Sequence, residues 1–141
     1  MEIEIVKKSN IGFSPEIGDM THELLSRLSE KVDSEGIDVL KKETVDILSK
    51  CTDPNKRECQ SVTNLVVGYV QSGKTMSFTT LSALAHDNGF RVIIYFAGTK
   101  NNLLSQTTKR LRKDLINGNV NSKHYKLFEN PTKNDSQRIR N

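Results

Sequence analysis

The sequence predicts an α/β chain: a parallel βαβα unit preceded by an N-terminal helical segment, with the change near residue 60 of 141. Three observations predict it. The apolar period up to about Cys59 is helical, the period after Asn64 switches to strand and helix in alternation, and a glycine-rich loop sits between the first such strand and helix. Residues 1–60 are therefore expected to be helical, and 61–141 to be the first part of a nucleotide-binding domain.

In "PEIGDMTHELLSRLSEKV" the apolar residues Ile17, Met20, Leu24, Leu25, Leu28 and Val32 recur at three- and four-residue steps, the mark of one helix face. Ser14 before Pro15 fits an N-cap with proline at the first helical position. After Gly36, the set Ile37, Leu40, Thr44, Ile47 and Leu48 predicts a second helix ending near Lys50. "TDPNKRE" then has the composition of a turn or linker.

"NLVVG" is expected as a short β-branched strand, and "GKTMSFTTLSALAHDNG" as a helix stopping at Gly89. "RVIIYFAG" is a continuous apolar run suited to a strand buried on both faces. In "NNLLSQTTKRLRKDLING" the residues Leu104, Thr108, Leu111 and Leu115 form one helical stripe, closed by Gly118. Beyond Asn119 the chain turns polar and rich in Asn and Lys, with no element assigned.

Composition narrows the function classes. At 35% hydrophobic and 27% charged residues, with no apolar run of about 18 residues, the chain reads as globular with no spanning helix. "MEIEIVKKSN" is too short and acidic for a secretory signal, which points to the cytoplasm. Cys51 and Cys59 lack the tight pairing of a metal site and read as reduced thiols. His22, His86 and His124 are scattered and receive no role. Net charge is +4 but uneven: from Lys100 onward ten cations face three anions, leaving +7 there and −3 before it. Such a surplus suits a polyanion-facing surface, and equally a solvated helix face.

"GYVQSGKT", Gly68 to Thr75, matches G-x-x-x-x-G-K-[S/T] at every fixed position. A chance match in a chain this long is on the order of one in 200 at ordinary glycine and lysine usage. Gly68 and Gly73 allow a tight turn, and the amide N–H groups across Gln71 and Ser72 can form an anion nest. Lys74 is expected to reach the β- and γ-phosphates, and the Thr75 hydroxyl to sit on Mg²⁺, with Met76 following in the same helical turn. A nucleoside triphosphate with Mg²⁺ is the expected ligand, Lys74 and Thr75 the groups acting in catalysis.

The segment "AGTKNNLLSQTTKRLRK" is suited to gripping a nucleic-acid backbone, with Thr99, Lys100, Asn101 and Asn102 in a loop and Gln106, Lys109 and Arg110 on a helix. A solvated basic helix face remains the other reading. Taken together, "VVGYVQSGKTMSFTTLSALAHDNGFRVIIYFAGTKNNLLSQT" resembles the N-terminal ATPase portion of the Z-one domain proteins, over roughly residues 62 to 112. These are bacterial superfamily II helicase-like ATPases, also described as endonucleases, and associated with restriction-modification and phage-defence gene sets. The resemblance implies a partial RecA-like P-loop sheet, ATP, Mg²⁺ and DNA. It places Gly73, Lys74 and Thr75 at the nucleotide, with Gln71 and Ser72 in its loop, and Thr99, Asn101 and Asn102 on the DNA side.

The family also needs an Asp-Glu pair on another strand and an arginine from a second lobe, and the sequence supplies neither after Asn119. The chain thus reads as the first portion of a larger protein, acting with its remainder or with a partner subunit. Other classes stay open. "TKND", Thr132 to Asp135, resembles the guanine-reading motif of GTP switches, though D-x-x-G is missing. A small-molecule kinase would need a lid with paired arginines, for which Arg138 and Arg140 are poor substitutes. A module that binds nucleotide without hydrolysing it is the non-enzymatic reading.

Overall fold

A computed structural model describes residues 12–56, 61–67, 74–96, 98, 101–116 and 125–140, with the Lys74 side chain excepted. Among them every regular element is helical: α1 (Asp19–Leu28), α2 (Ser34–Ser49), α3 (Lys74–Asp87), α4 (Asn101–Leu111) and α5 (Ser136–Arg140). A π-helical turn, Arg112–Ile116, continues α4, and a 3-10 turn, Lys133–Asp135, leads into α5.

This overturns the expected α/β class. No strand occurs among the described residues, so the RecA-like parallel sheet and its βαβα unit are corrected to an all-helical arrangement. The two runs read as strands form no regular element over their described residues and are open to solvent: Leu65 is 88% exposed, Val67 80% and Phe96 96%. Their β-branched composition favours extended backbone, but a strand also needs a paired neighbour to take its N–H and C=O groups. Among the described residues no strand pairing occurs for either run.

The chain divides into two compact units, Met1–Ile93 and Ile94–Asn141. In the first, α3 is the central helix and packs on both α1 and α2. Residues 82 to 85 of α3 are buried consecutively, as are Thr79 and Thr80, so this helix is covered nearly all round. Its small residues let the neighbours approach, and two of its hydroxyls are satisfied locally: Thr79 Oγ1 donates to the Thr75 carbonyl at 2.9 Å and Ser82 Oγ to that of Phe78 at 2.7 Å. Leu48 of α2 meets Leu84 and Ala85 of α3, with Phe13, Ile17, Val45, Leu81 and Phe90 around them. From α1 the expected stripe Met20, Leu24, Leu25 and Leu28 is buried.

The end of α3 is fixed by a Schellman motif. Gly89 N–H donates to the His86 carbonyl and Phe90 N–H to that of Ala85, both at 3.0 Å. Gly89 takes φ +92°, which a side chain would strain, and Phe90 follows it into the core against Phe13, ring centroids 6.4 Å apart.

Capping of α1 departs from expectation. The helix starts at Asp19, four residues past the proposed Ser14–Pro15 start, with Gly18 at the N-cap and no side-chain cap of its own. The missing acceptor comes from the last residue of α3. Asp87 Oδ2 accepts from Gly18 N at 3.1 Å, Thr21 N at 2.9 Å and Thr21 Oγ1 at 2.6 Å, and Oδ1 accepts from Met20 N at 3.2 Å. A carboxylate at a helix N-terminus also meets the positive end of the helix dipole. Gly18 allows the approach: a Cβ there would lie 2.8 Å from Asp87 Cγ. Beside it, Asn88 donates to the Glu16 carbonyl and accepts from Glu16 N, both at 2.8 Å. The second helix does cap itself, Asp33 Oδ1 accepting from Gly36 N at 2.9 Å, so α2 begins at Ser34 rather than after Gly36.

In the second unit, α4 and the π-helical turn bury Thr108, Leu111 and Leu115, three of the four residues of the expected stripe, while Leu104 is half-buried. Gly118 lies outside the described residues.

Because one carboxylate serves four donors across the fold, Asp87→Ala is expected to lower unfolding stability by about 2–3 kcal/mol in urea titrations. Asp87→Asn should lose less, since the amide oxygen still accepts. Wild-type stability in Asp87→Ala would remove the role assigned to this cap.

Candidate functional site

The glycine-rich loop joins α3 at its first residue. Gly68, Gln71, Ser72 and Gly73 lie outside the described residues, whereas Lys74 opens α3 and Thr75 and Met76 occupy its first turn, both half-buried. Full burial begins only at Thr79, one turn further in. Anchoring therefore comes from the middle and far end of α3 and leaves the first turn at the margin of the core.

The far end of α3 is chemically opposite. There an open depression of about 470 Å³ is lined by Phe13, Ser14, Glu16, Asp53, Asn55, Asp87, Asn88 and Gly89. Its acidic groups disfavour an anion, and Asp87 and Asn88 are already engaged with the α1 segment. A helix of this length spans about 20 Å, so these carboxylates sit far from Lys74.

On α4 the structure brings together most of the residues expected on the nucleic-acid side. Asn101 and Asn102 form its first turn, and Asn102, Gln106, Lys109 and Arg110 are exposed at helical spacing, opposite the buried Thr108 and Leu111. Thr99 and Lys100 lie outside the described residues. Among the described residues no three His, Cys, Asp or Glu side chains converge to hold a metal ion.

Two other residues singled out in the sequence have structural uses. Burial pushes the Cys51 thiol up, with the Asn64 amide, 3.6 Å from Sγ, offsetting part of it, which keeps the sulfur protonated at neutral pH. Cys59 lies outside the described residues. In "TKND", the carboxylate expected to read guanine instead caps its own turn: Asp135 Oδ2 accepts from Thr132 N at 2.9 Å and Thr132 Oγ1 at 3.1 Å. A helix start accounts for this tetrapeptide.

Sequence reasoning missed Asp87, whose partners lie 66 to 69 residues away. It also missed the contacts organising the end of the chain. Arg138 stands over the Phe128 ring at 5.2 Å and bonds Asp135 at 3.4 Å, and Arg112 Nη2 meets Glu129 Oε1 at 3.5 Å. The one available signal was Thr132 three residues before Asp135, a capping-box spacing.

The hydrogen bonds from Thr132, chiefly its backbone N–H, hold the Asp135 carboxyl below the usual aspartate range, and Arg138 adds to this. A depressed folded-state pKa contributes stability above the unfolded value, and that contribution is lost as pH falls through the lowered pKa. NMR titration should find Asp135 the more acidic for its cap, with α5 amide shifts following it. Thr132→Ala should return its pKa part of the way toward the ordinary value, and no movement would disconnect Thr132 from the titration.

No protein-family model, curated protein or solved structure matches this chain.

Proposed function

We propose that the chain binds a nucleoside triphosphate, ATP with Mg²⁺, through the Gly68–Gly73 loop and the first turn of α3. The observation that carries the reading is that Lys74 and Thr75, the lysine and threonine of "GYVQSGKT", lie in α3, the helix that the motif needs directly after its loop. Lys74 neutralises charge on the β- and γ-phosphates, and Thr75 contributes its hydroxyl to the Mg²⁺ shell. The bound ion would supply the Lewis-acid polarisation of the γ-phosphoryl group. The reading rests on this loop–helix junction and not on a sheet.

The wider activity, a helicase-like DNA-dependent ATPase of a restriction or phage-defence system, draws on the resemblance to the Z-one domain family. The exposed Asn102, Gln106, Lys109 and Arg110 on α4 suit its DNA side. Hydrolysis also requires carboxylates to orient water and a cation to offset transition-state charge, which this reading assigns to a partner or to further chain. Binding without turnover is the second reading.

Lys74→Ala should abolish Mg-ATP binding in calorimetry while the helical circular dichroism persists. A folded variant with unchanged affinity would sink the site. Phosphate release by wild-type chain, with and without DNA, separates the two readings: turnover supports the ATPase, and tight binding with none supports the module.

A further inference from the structure

We propose a nucleic-acid-binding surface at the end of the second unit, built by the exposed cations Lys126, Lys133, Arg138 and Arg140, with Arg138 set over the Phe128 ring. It is distinct from the loop of α3 and from the residues of α4, and its ligand is the phosphate backbone of a polynucleotide.

The compact unit Ile94–Asn141 coincides with the basic part of the sequence, ten cations against three anions. The four cations named are all exposed. Its three acids offset little of this. Asp114 is half-buried, Glu129 is taken by Arg112, and Asp135 by Thr132 and Arg138. Such exposed pairs are weak, so a phosphate can displace a carboxylate from either arginine. The Arg138 guanidinium is already oriented by the Phe128 ring and the Asp135 carboxylate, which reduces the rotamer freedom lost on binding.

What lies between the cations selects the partner. Asn130, Thr132, Asn134, Ser136 and Gln137 are exposed neutral hydrogen-bonding groups, the types that contact phosphate and sugar alongside Arg and Lys. A lipid surface would instead call for bulky apolar residues beside the cations. Among the described residues 125–140, which hold the four cations, only Ile139 is exposed and bulky, at 42%.

The test measures binding of a fluorescein-labelled single-stranded DNA oligonucleotide to the full chain between about 50 and 200 mM salt. Combined Lys126→Gln, Lys133→Gln, Arg138→Gln and Arg140→Gln should reduce the log–log salt slope by about two to four and weaken affinity at least about tenfold. Mg-ATP affinity should stay at the wild-type value, which separates failure here from failure of the nucleotide site. An unchanged slope, or a slope lost only with Lys109→Gln and Arg110→Gln, would overturn the surface. So would binding to phosphatidylserine vesicles without binding to the oligonucleotide. Should the combined variant fail to fold, Lys133→Gln and Arg140→Gln singly should each reduce the slope by about one, and no change in either would overturn the proposal equally.

Discussion

The first unit depends on one carboxylate. Asp87 ends the central helix and accepts four hydrogen bonds from the first turn of α1 and the residue before it. At the C-terminal end of its own helix a negative charge is in the unfavourable position, and at the N-terminal end of α1 it is in the favourable one. The second term wins because it is direct and geometric. Three backbone N–H groups and a hydroxyl lie within 3.2 Å of the carboxylate oxygens, while the carbonyl end of α3 is turned away into a Schellman motif. Gly18 and Gly89 flank this junction for different reasons, one to permit close approach and the other to take a positive φ.

With its far end held, α3 combines two tasks that usually compete. A buried helix is rigid but inaccessible, and a ligand-binding helix terminus must be reachable. Here burial is graded along the axis, from half-buried Thr75 to fully buried Thr79, Thr80 and Leu84. Packing energy is therefore spent away from the first turn, and the N–H groups proposed to meet phosphates are positioned by a core they do not enter.

The helices were legible in the sequence because their information is local. A hydrogen bond from residue i to i−4 and a stripe at three- and four-residue steps need only a short window, so Leu24, Leu40, Thr44, Leu48, Thr108 and Leu111 could be placed inside beforehand. The runs Leu65–Val67 and Val92–Phe96 carry composition suited to a strand, but pairing is non-local and the sequence of a run does not contain its partner. The same limit hid the cap of α1: Ser14–Pro15 looked sufficient nearby, whereas the true acceptor arrives from Asp87. Of the candidate site, a helix containing Lys74 and Thr75 and the polar face of α4 were foreseeable from motif and period. The clustering of Phe128, Asp135 and Arg138 was not, because a cation over a ring leaves no periodic trace.

Charge bears on what each unit can recognise. The boundary between Ile93 and Ile94 separates a unit with an excess of three acids from one with an excess of seven cations. A triphosphate approaching the acidic unit gains nothing from its overall field. Yet at physiological ionic strength charges more than about 8 Å apart in solvent are largely screened, so the net charge of a unit matters less than the groups touching the ligand. Loop amides, a helix terminus and one lysine suffice for a compact anion that brings its own Mg²⁺. A polynucleotide differs, because its phosphates repeat along a length and each additional surface cation releases a further counterion. On the two proposals, short-range donors at α3 and distributed cations in the second unit would answer two kinds of anion.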